Sequence, residues 1–116
     1  MTNVPKLPKL VRDRIPVAIA MDGKVPTWRR AGGEEFINAL LDKLVEESME
    51  LRENPTPEEL ADVLEVLDAI RSTRAGAEIW RDVDKVRRDK AVLRGRYRDR
   101  IILEEIRDEH TDRGNV

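Results

Sequence analysis

Two amphipathic periodicities meet across one proline-marked break, and that arrangement constrains the chain to helix packing. Ile37, Leu40, Leu41, Leu44, Ser48 and Leu51 recur at three- and four-residue steps, so one apolar stripe runs along a helix predicted from Glu34 to about residue 53. Asn54-Pro-Thr-Pro57 interrupts it. Thr56 then stands where an N-cap is needed, Pro57 fits the first helical position, and Glu58 and Glu59 suit the positive end of the helix dipole. The second helix carries Leu60, Val63, Leu64, Leu67 and Ile70 and is predicted to end near Gly76. A third, from about Ala77 to Arg94, carries Ile79, Val83, Val86 and Leu93 and is closed by Gly95.

Composition agrees with an all-α fold. Of 116 residues only Trp28, Phe36, Trp80 and Tyr97 are aromatic, so the core is aliphatic, and the length suits one domain over 1–116 with a core of about 9–105. The expected architecture is a small bundle built on two antiparallel acidic helices, with a short extended N-terminal arm. The 22 basic and 24 acidic residues nearly balance, which argues against a nucleic-acid polymer or a membrane surface as partner. There is no cysteine, and the one histidine, His110, lies in a polar tail, so thiolate sites, disulfides and multi-histidine metal sites are excluded. The longest unbroken apolar run, Val17 to Met21, is far too short to span a bilayer, and the basic N-terminus has no apolar stretch typical of a secretion signal. A cytoplasmic location is expected.

The flanks are less regular. Pro5 and Pro8 imply an extended arm over the first eight residues, followed by the basic segment Lys9-Leu-Val-Arg-Asp-Arg-Ile-Pro16, stopped by its proline. Val17 to Met21 fits a short helix ended by the turn pair Asp22-Gly23; Lys24 to Arg30 fits extended chain, and Gly32-Gly33 a break. The tail from Tyr97 to His110 is compatible with helix or partly extended chain, and the last six residues with disorder.

Two motifs carry the chemistry: Glu46-Glu47-Ser-Met-Glu50 on the first long helix and Glu59-Leu-Ala-Asp62 on the next. In each, acids three residues apart share a helix face. Any highly charged helix shows such spacing by accident; the position relative to the apolar stripe is more telling. At roughly 100° per residue, Glu47 falls at the edge of its stripe, about 20° from Leu40, with Glu50 next beyond it. Glu59 falls between Val66 and Ile70, inside the apolar arc, and Asp62 lies beside Val66. A carboxylate in a buried seam must be paired or bound to a cation. Four of them converging repel one another unless a divalent ion sits among them. Glu65 and Asp68 repeat the spacing, but Glu65 points well away from the stripe and Asp68 flanks its opposite edge; Asp68 remains a candidate supporting group, and Glu46 a surface ion-pair partner.

Complementary charge comes from the third helix. Lys90 falls between Val83 and Val86, with Arg94 beside it. A lysine there either snorkels to water or reaches a ligand phosphate. Arg12, Arg14, Arg96, Arg98 and Arg100 are individually typical surface charges. An oxygen-only donor set selects a hard cation, Mg²⁺ with Mn²⁺ as substitute, and Mg²⁺ characteristically binds a few carboxylates together with substrate phosphates. Phosphoanhydride or phosphate-ester chemistry follows, with Glu47 or Glu50 as the group that takes a proton. There is no phosphate-binding Gly-x-x-x-x-Gly-Lys loop and no dinucleotide fingerprint.

Glu-Glu-x-x-Glu followed on the next helix by Glu-x-x-Asp resembles the signature of the MazG-like all-α nucleoside triphosphate pyrophosphatases. Lys9-Leu-Val-Arg-Asp-Arg-Ile-Pro16, Glu58-Glu-Leu-Ala-Asp-Val-Leu-Glu-Val-Leu-Asp68 and Lys90 with Arg94-Gly95 extend that resemblance over about residues 9 to 105. The resemblance implies hydrolysis between the α- and β-phosphates of a nucleoside triphosphate, giving a monophosphate and pyrophosphate. It implies Glu47, Glu50, Glu59 and Asp62 as Mg²⁺ ligands, phosphate contacts by Lys90 and Arg94 with the basic opening of Arg12 and Arg14, a homodimer or homotetramer, and a role in clearing aberrant or surplus nucleotides. The chain departs from the pattern after Arg94, where Gly-Arg-Tyr stands in place of a second glycine and phenylalanine, and Trp28 and Tyr97 are the only base-stacking candidates offered. Two alternatives stand beside this reading: a phosphoribosyl-ATP pyrophosphatase, and a non-catalytic helical module that oligomerises or regulates a partner.

Overall fold

The computed structural model describes residues 7–109. Four helices account for the regular structure: α1 (Ile15–Met21), α2 (Gly33–Glu53), α3 (Pro57–Ser72) and α4 (Arg74–Arg94), with no strand among the described residues. The fold is therefore all-α. The chain divides into two compact units, Met1–Asp82 and Val83–Val116. No helix is long and apolar enough to cross a membrane among the described residues.

The first unit is organised by the α2–α3 hairpin. Three residues separate the helices, and Thr56 starts α3 as expected, its hydroxyl accepting the Glu59 N–H at 3.3 Å with Pro57 in the first turn. Leu40 of α2 packs with Val66 and Ile70 of α3, the most deeply covered aliphatic side chains, with Leu10, Phe36, Ile37, Leu44, Ala69 and Trp80 around them. Toward the loop, Glu47 instead meets Glu59 and Asp62. As α2 advances its partners on α3 fall back along the chain, so the two helices are antiparallel.

Which faces are covered differs from the expectation on two helices, and one helix start differs as well. On α2, Leu41 and Ser48 are exposed while Leu40, Lys43, Leu44, Glu47 and Leu51 are at least half-covered, so the seam is rotated by roughly 60° toward Glu47. Composition locates an apolar arc, but the partner helix selects which part of it is covered. On α4, Ile79, Val86 and Leu93 are exposed, Lys90 with them, and the covered positions are Gly76, Trp80, Val83 and Ala91. The bulky Trp80 ring, against the Leu40 cluster, sets that face. Pro16 opens α1 instead of stopping the segment before it, because its fixed φ and missing N–H suit the first turn.

The α3–α4 junction also falls earlier than Gly76. The Thr73 hydroxyl donates to the Ile70 carbonyl at 2.7 Å and accepts from the Gly76 N–H at 3.0 Å, so one side chain serves the end of α3 and the start of α4. Gly76 is buried inside α4, where a Cβ would collide with the Ile70 carbonyl and the Thr73 hydroxyl. The glycine permits a close approach rather than breaking a helix. Glycines 23 and 95 do take the left-handed turn conformation expected of them, with φ of 81° and 80°.

Lys24 to Gly32 is irregular, and Gly33 begins α2. The second unit holds the later turns of α4 and a segment over 95–108 without helix, in which Tyr97, Ile101, Ile102, Leu103 and Ile106 are exposed. Most of the expected N-terminal arm, His110 and the last six residues lie outside the described residues.

Candidate metal centre

The loop end of the α2–α3 hairpin gathers acids. One carboxylate oxygen each of Glu47, Glu59 and Asp62 lies within 4.8 Å of the other two, and all three residues are half-buried. The helical registers explain this. Glu47 shares the covered arc of α2 with Leu40, Leu44 and Leu51; Glu59 shares that of α3 with Val66 and Ile70. The apolar contacts that close the hairpin therefore also drive the acids together.

Neighbouring cations partly offset the charge. Arg12 donates to Asp62 Oδ1 at 2.7 Å, and Lys43 lies 3.6 Å from Glu47, whose side chain is 13% exposed. Glu59 has no basic partner among the described residues. Its carboxyl is raised above its ordinary value, first by desolvation and then by the negative charges of Glu50, Asp62, Glu47 and Glu58.

This strain has a measurable consequence. A carboxyl whose pKa is higher folded than unfolded costs stability while ionised; the cost is absent below the ordinary carboxylate range and fully present above the raised value. In chelator-treated protein, Glu59→Gln is therefore expected to melt higher than wild type at neutral pH. The gap should close as pH falls into the carboxylate range. Thermal melts across pH check this, and a gap independent of pH would show that Glu59 carries no such strain.

The donor set suits a hard cation chemically: all oxygen, partly dehydrated, with an excess of negative charge. Metal–oxygen bonds of about 2.1 Å place neighbouring octahedral ligands about 3.0 Å apart and opposite ones about 4.2 Å, so oxygens within 4.8 Å of one another would close by up to about 1.8 Å around an ion of Mg²⁺ size.

The other residues singled out from sequence are placed as follows. Glu50 is exposed and outside the three-oxygen group, yet close enough to act on the Glu59 charge. Glu46 points outward to Lys43 at 3.7 Å and Lys9 at 3.9 Å, the surface ion pair expected of it. Glu65, Asp68 and Arg14 are exposed. Lys90 and Arg94 belong to the second unit and are exposed on the last turns of α4, as are Arg96, Arg98 and Arg100 beyond it. Trp28 is exposed and holds the Arg30 guanidinium 5.2 Å above its ring.

Two contacts escaped the sequence reading. Lys43 to Glu47 was legible as an i, i+4 pair. Arg12 to Asp62 spans fifty residues and has no local signature. A shallow apolar depression lined by Phe36, Ile37, Thr73 and Glu78 lies at the far end of the hairpin and has no part in the acidic cluster. Compared with known proteins, the chain matches no family model, no curated protein and no solved structure.

Proposed function

We propose that the α2–α3 hairpin is the metal centre of a Mg²⁺-dependent nucleoside triphosphate pyrophosphohydrolase of the MazG-like kind, with Mn²⁺ as a substitute ion. The supporting observation is the meeting of Glu47, Glu59 and Asp62 in a half-buried seam, with Glu59 lacking any cationic partner among the described residues. A purely structural hairpin has no use for a destabilised acid at the centre of its apolar face.

Glu47, Glu59 and Asp62 would hold the ion, with Glu50 beside them. A divalent ion bound there would neutralise polyphosphate charge and lower the pKa of a bound water. Water attacks phosphorus, the bond bridging the α- and β-phosphates breaks, and pyrophosphate departs from the nucleoside monophosphate. Glu50, exposed next to the cluster, accepts the proton. Arg12, Arg14, Lys90 and Arg94 are assigned to the phosphates, an assignment that comes from the motif resemblance. The same resemblance supplies the role in nucleotide housekeeping and the cytoplasmic setting.

A homodimer or homotetramer belongs to this proposal. Leu41, Val45 and Met49 line an exposed stripe on α2, and Leu60 and Leu64 another on α3. Apolar stripes of this length on a small domain fit burial against further copies. The same stripes fit a non-catalytic oligomerisation module, which gives no account of Glu59.

Pyrophosphate release over a panel of canonical and damaged nucleotides, with Mg²⁺ and then Mn²⁺, tests the activity. In parallel, saturating Mg²⁺ is expected to raise the melting temperature, since an ion at a hundred times its Kd stabilises the native state by about 2.7 kcal/mol. Absence of turnover and of any thermal shift removes the assignment.

A further inference from the structure

The segment before α1 crosses the acidic hairpin and is pinned at three points. Lys9 lies 3.9 Å from Glu46 on α2, Leu10 packs against the Leu40–Val66–Ile70 cluster, and Arg12 donates to Asp62 Oδ1 on α3 at 2.7 Å. Leu10 thus anchors the strand of irregular chain that delivers the Arg12 guanidinium to one of the three gathered carboxylates. A guanidinium in that place does electrostatically what a metal ion would do: it lowers the repulsion among Glu47, Glu59 and Asp62.

We propose that Arg12 is a tethered counter-ion, holding Asp62 while the cluster is empty and yielding that carboxylate to a divalent cation. This rests on the metal-centre reading above. A cation held by all three acids would stand within a few ångströms of the guanidinium, and the two like charges oppose one another. Arg12 can move away: its side chain is 59% exposed, that of Asp62 41%, and residues 9–12 belong to no helix. The 2.7 Å contact is close enough to hold Asp62, yet open enough to exchange. Arg12 therefore weakens binding of the bare ion. Once an ion arrives with a polyphosphate, the displaced guanidinium has a new anion to meet.

Titration of Mn²⁺ alone into wild type, Arg12→Gln, Arg12→Lys and Glu59→Gln, followed by calorimetry or by the Mn²⁺ spin-resonance signal, separates the possibilities. Arg12→Gln should bind Mn²⁺ about two- to fivefold more tightly than wild type, the range of a partly exposed ion pair. Arg12→Lys should stay near wild type, and the difference should shrink in high salt. Without ion, Arg12→Gln should melt lower than wild type, and Mn²⁺ should close that gap. Equal or weaker Mn²⁺ binding by folded Arg12→Gln overturns the counter-ion role while leaving the metal centre standing. Failure of wild type and every variant to bind Mn²⁺ overturns the metal centre, and this inference with it. Should Arg12→Gln not fold, a wild-type affinity for Mn²⁺ in Arg12→Lys that is insensitive to salt would equally overturn the role.

Discussion

Glu47→Gln is expected to abolish Mg²⁺-dependent pyrophosphate release while leaving the helical fold intact. The side chain is 13% exposed, and its oxygen shares a space with those of Glu59 and Asp62. Replacing it with an amide keeps the shape but exchanges one acceptor oxygen for a donor and removes one of the charges that would hold the ion. Metal-based charge stabilisation amounts to several kcal/mol, and at about 1.36 kcal/mol per decade the loss is on the order of a thousandfold. Folding should not suffer, since one like charge leaves a crowded cluster. Glu46→Gln is the internal control, because Glu46 points away to Lys9 and Lys43 and should retain near-normal turnover. Pyrophosphate release by all three proteins, with helical content measured alongside, decides the matter. Equal activity in Glu47→Gln and wild type would end the enzymatic reading.

Gly76→Ala is expected to lower the melting temperature by on the order of 10 °C, from a destabilisation of about 2–3 kcal/mol. Helix propensity points the other way, since alanine replacing glycine inside a helix stabilises by about 0.5–1 kcal/mol. The opposing term is steric. A Cβ at residue 76 collides with the Ile70 carbonyl and the Thr73 hydroxyl, the atoms that close α3 and open α4. A backbone carbonyl fixed at a helix end cannot swing aside as a long side chain would. The sign of the shift in a thermal melt is thus informative: a rise would mean that the α3–α4 junction is looser than described.

Much of the acidic cluster is legible in the amino-acid sequence. Proline and threonine at 54–57 marked the break between α2 and α3, and the cap formed as their chemistry requires. The three-residue spacing of Glu59 and Asp62, read against Val66 and Ile70, placed both acids in the seam, where they lie half-buried. Glu47 and Glu50 were harder. A helical wheel puts Glu47 at the stripe edge and Glu50 next beyond it, and the seam turns toward Glu47, covering it and leaving Glu50 exposed. The orientation of a stripe against its partner depends on both helices, and one periodicity cannot supply it. Lys90 fails similarly: its place among the valines of α4 means little once Trp80 and Val83 supply the covered face.

The sequence alone determined the number and approximate extent of the long helices, because capping, proline and periodicity act within a few residues along the chain. It also placed Glu47, Glu59 and Asp62 in or at the edge of the apolar seam. Only the tertiary structure decided which three oxygens meet, why Gly76 is a glycine, and that Arg12 reaches Asp62 across fifty residues. Those facts depend on how helices rotate and approach one another. That choice is made by the summed packing of many side chains, not by any local pattern.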